Sequence, residues 1–211
     1  MVKEISRLLY EYEVKDKNGK IIKKGKGRSH SWLKIMLWIL KAYFATRYHS
    51  LTGSANEDIP DETGVTHPFP KHDNVAPPSF DMSLSALGAD SDTTQGIVVG
   101  NDDTPNTPDQ YGLNSKIEHG NGAGQLIYGA MTVESLTSPS DGTWQFRAIR
   151  AFTNNSGADV IVKEIGFLVK IKDKNETPAS FCLIRDVLST PITVPDGASF
   201  TWRYIFQVVV S

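Results

Sequence analysis

Residues 199–210 read SFTWRYIFQVVV. Phe200, Trp202, Tyr204 and Phe206 line one face of an extended chain, the two-residue period of a strand that turns one side to a core. Residues 143–153, TWQFRAIRAFT, repeat the pattern. There Trp144, Phe146, Ala148 and Phe152 interleave with Gln145, Arg147 and Arg150, with one slip at Ile149. Around these two runs lie QGIVVG (95–100), QLIYGAMTVES (125–135), DVIVKEIGFLVKI (159–171), SFCLIRDVL (180–188) and PITV (191–194). Turn residues punctuate them at Asp141-Gly142, Asn154-Asn155-Ser156-Gly157, Asp173-Lys174-Asn175 and Pro195-Asp196-Gly197. About seven short strands at this spacing predict a mainly β protein, with an antiparallel β-sandwich or jelly roll over residues 95–211.

Upstream the pattern changes twice. In residues 1–29, Leu8, Tyr10, Tyr12 and Val14 alternate with Leu9, Glu11 and Glu13. Asn18-Gly19 then offers a type I′ turn before the return run Lys20-Ile21-Ile22-Lys23-Lys24, so a β-hairpin is expected. Two strands alone are marginal in water, and the hairpin is expected to dock on the rest of the chain or on a neighbour. Residues 32–47, WLKIMLWILKAYFATR, contain no Gly or Pro and predict a helix, with Ser29 or Ser31 as cap. It is apolar almost all round, apart from a stripe at Lys34 and Lys41. Such a helix needs cover on most sides, either as the centre of its own domain or against other subunits. Residues 48–94 carry Pro60, Pro68, Pro70, Pro77 and Pro78 and read as an extended acidic connection, an arm or a linker. The expected division is thus a hairpin-helix anchoring arm (1–47), a Pro-rich connection (48–94) and a sandwich (95–211).

The chain has 211 residues with 39% hydrophobic and 22% charged composition, enough for a real core. No apolar run is long enough to cross a bilayer, and the start lacks the layout of a secretory signal, so a soluble, intracellularly made protein is the expectation. A single cysteine, Cys182, excludes an internal disulfide and a multi-thiolate zinc site. The net charge of −2 conceals segregation: residues 1–50 carry 12 Lys+Arg against 4 Asp+Glu, residues 51–110 carry 1 against 11, and residues 111–211 carry 9 against 9. Lys20, Lys23, Lys24, Lys26 and Arg28 are the candidates for contact with an acidic neighbour, or they form a solvated face. Nucleic acid ranks below protein as their partner, because Tyr10 and Tyr12 are the only nearby stacking residues.

Catalytic patterns are missing from the sequence. There is no GxSxG and no HExxH, and Cys182 lies in the apolar run Phe181-Cys182-Leu183-Ile184, the setting of a buried inert thiol. His67 and His72, with Asp73, are the metal candidates, and Asp90-Ser91-Asp92 and Asn101-Asp102-Asp103 could donate oxygens to calcium, but neither set has a full ligand spacing, so no cofactor and no metal is expected. Arg185-Asp186 is expected to form an ion pair that orients the adjoining loop. Trp144, Trp202, Tyr204 and Phe206 are expected in the core rather than on a sugar-stacking platform.

Three stretches resemble a pattern found in virion structural proteins of tailed bacteriophages and related viruses. The first is Gly96-Ile97-Val98-Val99-Gly100 followed, after a Thr/Pro/Asp segment, by Tyr111-Gly112-Leu113-Asn114-Ser115-Lys116-Ile117-Glu118-His119-Gly120. The second is Arg150-Ala151-Phe152-Thr153-Asn154-Asn155-Ser156-Gly157-Ala158 running into Val162-Lys163-Glu164-Ile165-Gly166-Phe167. The third is Leu183-Ile184-Arg185-Asp186-Val187-Leu188, then Pro191-Ile192-Thr193-Val194-Pro195-Asp196-Gly197. The resemblance implies a non-catalytic component of a head, neck or tail, with copies of itself and other virion proteins as partners and no membrane. It carries over no functional residue. On the residues alone, Trp32, Leu33, Met36, Leu37, Ile39, Leu40 and Phe44 are the expected interface, and a homo-oligomer within an assembly is the expected state. A receptor- or glycan-binding module at a virion tip is the alternative.

Overall fold

The computed structural model describes residues 4–29, 31–45, 56–70, 85–107, 109–173, 175 and 177–210. The rest of the 48–94 connection lies outside the described residues, as do the side chains of Lys41 and Phe44. Twelve strands and one helix follow in order: β1 (Glu4–Lys15), β2 (Ile21–Ser29), α1 (Lys34–Ala45), β3 (Asn56–Pro60), β4 (Thr66–Pro70), β5 (Gly96–Gly100) and β6 (Ile127–Tyr128) come first. Then come β7 (Thr132–Val133), β8 (Thr137–Ser140), β9 (Thr143–Thr153), β10 (Val160–Lys172), β11 (Pro178–Val194) and β12 (Ser199–Val210).

The fold is mainly β, and its paired strands are antiparallel. Sheet A has the order β2-β1-β12-β9-β6, with β7 and β8 also on β9; sheet B has the order β11-β10-β5; β3 and β4 form a separate pair. The two runs that open the sequence reading are neighbours: Phe200, Tyr204 and Phe206 oppose Phe152, Ala148 and Phe146 across β12 and β9. Their shared face, with Leu8, Tyr10, Tyr12 and Val14 of β1 opposite β12, forms one wall of the core. Tyr10 and Tyr12 stack on Trp202, at centroid distances of 4.7 and 5.9 Å. Phe167 of β10 meets Tyr204 and Phe206 edge-on, bringing sheet B onto that wall.

The amino-terminal hairpin is not a separate arm. β1 pairs with β12 from Glu4–Val210 to Lys15–Ser199, so the chain's two ends share one sheet and the expected boundary between 1–47 and 95–211 does not divide it. The turn also differs from expectation. Gly19 has φ of +78° while Asn18 does not enter the positive region. The Gly19 N–H donates to the Asp16 carbonyl, and the Asp16 carboxylate accepts from the N–H groups of Asn18 and Lys20. This is a type I turn closed by a left-handed glycine, which the side-chain cap of Asp16 selects over type I′. Asp61-Glu62-Thr63-Gly64-Val65 repeats the device between β3 and β4. Asp173 likewise accepts from the N–H groups of Asn175 and Thr177.

Opposite Tyr10 and Tyr12, the edge strand β2 carries Gly27 and Gly25. A Cβ at either position would lie 2.5 Å from a tyrosine ring atom, so the missing side chains make room for the rings. Elsewhere the elements differ from the sequence reading in extent. The 125–135 run breaks into β6 and β7, the two runs at 180–188 and 191–194 fuse into β11, and the Pro-rich 56–70 stretch still forms a hairpin.

The outer surface of sheet B is covered by a third layer. Phe181 of β11 meets Phe69 of β4 edge-on, Ile59 of β3 is fully buried, and Ile35 and Ile39 of α1 turn into the same layer. The loop between β5 and β6 completes it: Leu113 sits against Gly166 of β10, where a Cβ would collide with it.

Candidate interaction surfaces

Three buried polar clusters hold the loops, two of them under the covering layer and one, at Arg150, between the sheets. Arg185 points outward from β11 and donates to Glu164 Oε2 at 2.6 Å, with both side chains fully buried. It also bonds the Thr104 carbonyl and Asn106 Oδ1, while Glu164 accepts from the N–H groups of Asn114 and Ser115. Arg150 donates to five carbonyls, those of Ala89, Asp92, Gln95, Ile97 and Gly129. Burial lowers its pKa, and the ring of Tyr128 stacks beneath its guanidinium. His67 lies between Asp61 Oδ2, 3.1 Å from Nε2, and Asp173 Oδ2, 3.3 Å from Nδ1. The same two carboxylates cap the turns on either side, so the cluster ties β3–β4 to the β10–β11 turn.

Two of these arrangements correct the sequence reading. Arg150 is not on the solvent face of β9; it shares the inner face with Ala148 and Phe152, and alternation through Ile149 is unbroken. Arg185 and Asp186 project to opposite sides of β11. Arg185 pairs with Glu164, whereas Asp186 accepts from the hydroxyls of Ser29 and Tyr204 inside the sandwich. Ser29 is thereby used as a core hydroxyl rather than a helix cap. Burial pushes the Cys182 thiol up to about 12, which leaves it protonated and inert near neutral pH. Asp92 and Asp102 each cap a turn, on Thr94 and Thr104. His72 and Asp73 lie outside the described residues, and among those described no three His, Cys, Asp or Glu side chains group to hold a metal.

The expected interface splits into two sides. Leu33, Ile35 and Ile39 are buried by the chain itself, so Leu33 and Ile39 are not available to a partner. Leu37 is 66% exposed, Leu40 37% and Trp32 42%; Met36 is half-buried and Phe44 falls outside the described side chains. Trp32, Met36 and Leu37 line a groove of about 640 Å³ with Ser31, Asn106 and Thr107. Lys34 sits over the Trp38 ring at 4.4 Å and reaches Asp109.

The basic candidates lie along β2, at the free edge of sheet A. Lys20, Lys24, Lys26 and Arg28 are exposed and form no ion pair among the described residues, while Lys23 donates to the Pro191 carbonyl. Lys24 and Lys26 stand opposite Glu13 and Glu11, and Glu13 is held by Arg203. Of the four aromatics weighed as a sugar platform, Trp202 and Tyr204 are fully buried and Phe206 is partly buried, whereas Trp144 is 51% exposed. No family model, curated protein or solved structure matches the chain. Among the described residues no helix is long and apolar enough to cross a membrane.

Proposed function

We propose that this chain is a structural, non-catalytic virion protein that assembles by protein–protein contacts into a phage-like particle. The exposed side of α1 and the residue before it carry the reading: Leu37, Leu40 and one side of Trp32, whose other side packs on Phe206, are open beside an apolar groove, although the other side of the helix is well covered. Fully burying such a side chain contributes roughly 1.5–3 kcal/mol, and a partner would gain the part of it that each group still exposes, most at Leu37. The resemblance in the 96–120, 150–167 and 183–197 stretches supports the particle context, and the polar clusters are engaged in holding loops in place rather than arranged around a cleft.

Thiol labelling of a Leu37→Cys variant tests this. Cys182 is buried, so the new thiol is the reactive one. The proposed function predicts that it labels readily in the isolated chain and is protected once the chain is incorporated into purified particles. Equal labelling in both, or absence of the chain from particles, contradicts it. The receptor- or glycan-binding alternative rests on Trp144, which is 51% exposed. It predicts that a Trp144→Ala variant loses binding on a glycan array that the wild type retains.

A further inference from the structure

Sheet A and the layer over sheet B are opposite faces of the molecule, and they differ in charge. On the outer face of sheet A, Lys24, Lys26 and Arg28 of β2 share a surface with Arg203 and Arg147. Glu11, Glu13 and Glu134 offset them in part: Arg203 pairs with Glu13 and Arg147 with Glu134, so the unpaired positive charge sits on β2. At the centre of this face Leu9 and Ile149, each partly exposed, form a narrow apolar strip around Ile205, which shares their outward parity but is itself buried by its neighbours. The opposite layer is acidic. Residues 56–70 hold four acidic residues and no Lys or Arg, and residues 101–110 hold three acidic residues and no Lys or Arg. Asp58 is exposed, and the Asp103 and Asp109 side chains are 64% and 87% exposed. Their ion pairs with Lys163 and Lys34 are surface pairs, which contribute little and exchange easily. Between these two acidic segments lies the apolar side of α1, which touches β3 and β4 and shares its groove with Asn106 and Thr107.

We propose that the outer face of sheet A in one copy covers α1 and its acidic flanks in the next, so that copies associate head to tail. This rests on the reading that α1 meets a protein partner, and it names that partner as a second copy of this chain. A single copy cannot make the contact, because two sheets about 10 Å apart separate its own faces. A two-fold contact of sheet A with sheet A would oppose like charges, and the lysines of β2 would repel another β2 edge. A basic surface with an apolar strip meeting an acidic surface with an apolar helix satisfies both terms. Such a contact is heterologous, so it builds rings or filaments rather than a closed dimer.

Sedimentation velocity of the purified full chain tests it with two charge-reversal variants, Lys24→Glu/Lys26→Glu/Arg28→Glu and Asp58→Lys/Asp103→Lys/Asp109→Lys. The wild type is expected to form species larger than a dimer that weaken about tenfold or more as salt is raised toward ~1 M, where the screening length is ~3 Å. Each variant alone is expected to weaken association by about tenfold or more, and an equimolar mixture to restore it, because the reversed surfaces are again complementary. The mixture reads folding as well, since misfolded chains would not rescue one another. A wild type that stays monomeric at high concentration overturns the proposal, as does association that neither variant changes or that the mixture fails to restore. Retention of DNA by the wild type, with self-association unaffected by the β2 variant, overturns it also. If the chain is monomeric alone yet Leu37 is shielded in particles by a different protein, this inference fails while the proposed function stands.

Discussion

The outer surface of sheet B and the outer side of α1 are adjacent, yet they are finished in different ways. Over sheet B the described loops are pinned from below: Arg185 and Glu164 hold residues 102–115, and His67 with two aspartates holds the β3–β4 hairpin, while Arg150 holds residues 89–97 from inside the sandwich. These are buried charges, expensive to desolvate, and they work only because each has several partners. On the outer side of α1, among the described residues, Leu37 and Leu40 remain open, as does part of Trp32 just before the helix. The contrast separates a surface completed within the chain from one that, on the proposed function, is left for another chain. Substitutions in the first should therefore damage stability, and substitutions in the second should damage association.

The largest effect is expected at Arg185. Arg185→Ala leaves Glu164 charged and unpaired in the interior, and a loss of about 3–5 kcal/mol is expected in chemical denaturation. Replacing both partners by apolar residues of similar size, as in Arg185→Met/Glu164→Leu, should recover most of that loss, because no lone charge remains. If the single variant unfolds like the wild type, the covering layer is not fastened as described. Next comes the glycine-tyrosine packing on β2. Gly27→Ala forces the Tyr10 ring off Trp202, and a cost of about 1–3 kcal/mol is expected by the same measurement.

Acid should loosen the clamped layer more gradually. Burial by itself would raise the Asp61 pKa, but hydrogen bonds from Thr63, His67 and Val65 outweigh it and hold the carboxyl below its ordinary value. A bond from Arg203 does the same for Glu13. A carboxylate depressed in the folded state adds stability above its unfolded pKa and loses it as the pH falls through the folded one. Stability measured from pH 6 to pH 2 should therefore decline below about pH 4, and Asp61→Asn should make that decline shallower. The smallest stability effect belongs to the open surface. Leu37→Asp should change unfolding by no more than about 0.5 kcal/mol, as for an exposed site, while weakening self-association.

How far the sequence announced this arrangement depends on the kind of signal each part needs. The core wall was legible, because Phe200, Trp202, Tyr204 and Phe206 keep a strict period that sterics convert into a face. Arg150 was not, since its partners are backbone carbonyls spread over residues 89–129 and carbonyls leave no residue pattern. The β3–β4 hairpin was hidden by its prolines, and the buried Ile59 and Phe69 are too sparse to show alternation. For α1, composition marked a helix in need of cover, but an all-round apolar pattern does not say which side the chain covers itself. Ile35 and Ile39 face inward and Leu37 outward only because β11, β3 and β4 lie where they do. The pairing of the hairpin with β12 depends on residues about 190 positions apart, a separation that a local pattern cannot reveal.

The most direct test is a reconstruction of the assembled particle at a resolution that places side chains around Leu37. The account predicts Trp32, Leu37 and Leu40 buried beneath the outer face of sheet A from a second copy, with Lys24, Lys26 or Arg28 of that copy near Asp58, Asp103 or Asp109. A particle in which Leu37 faces solvent would contradict it.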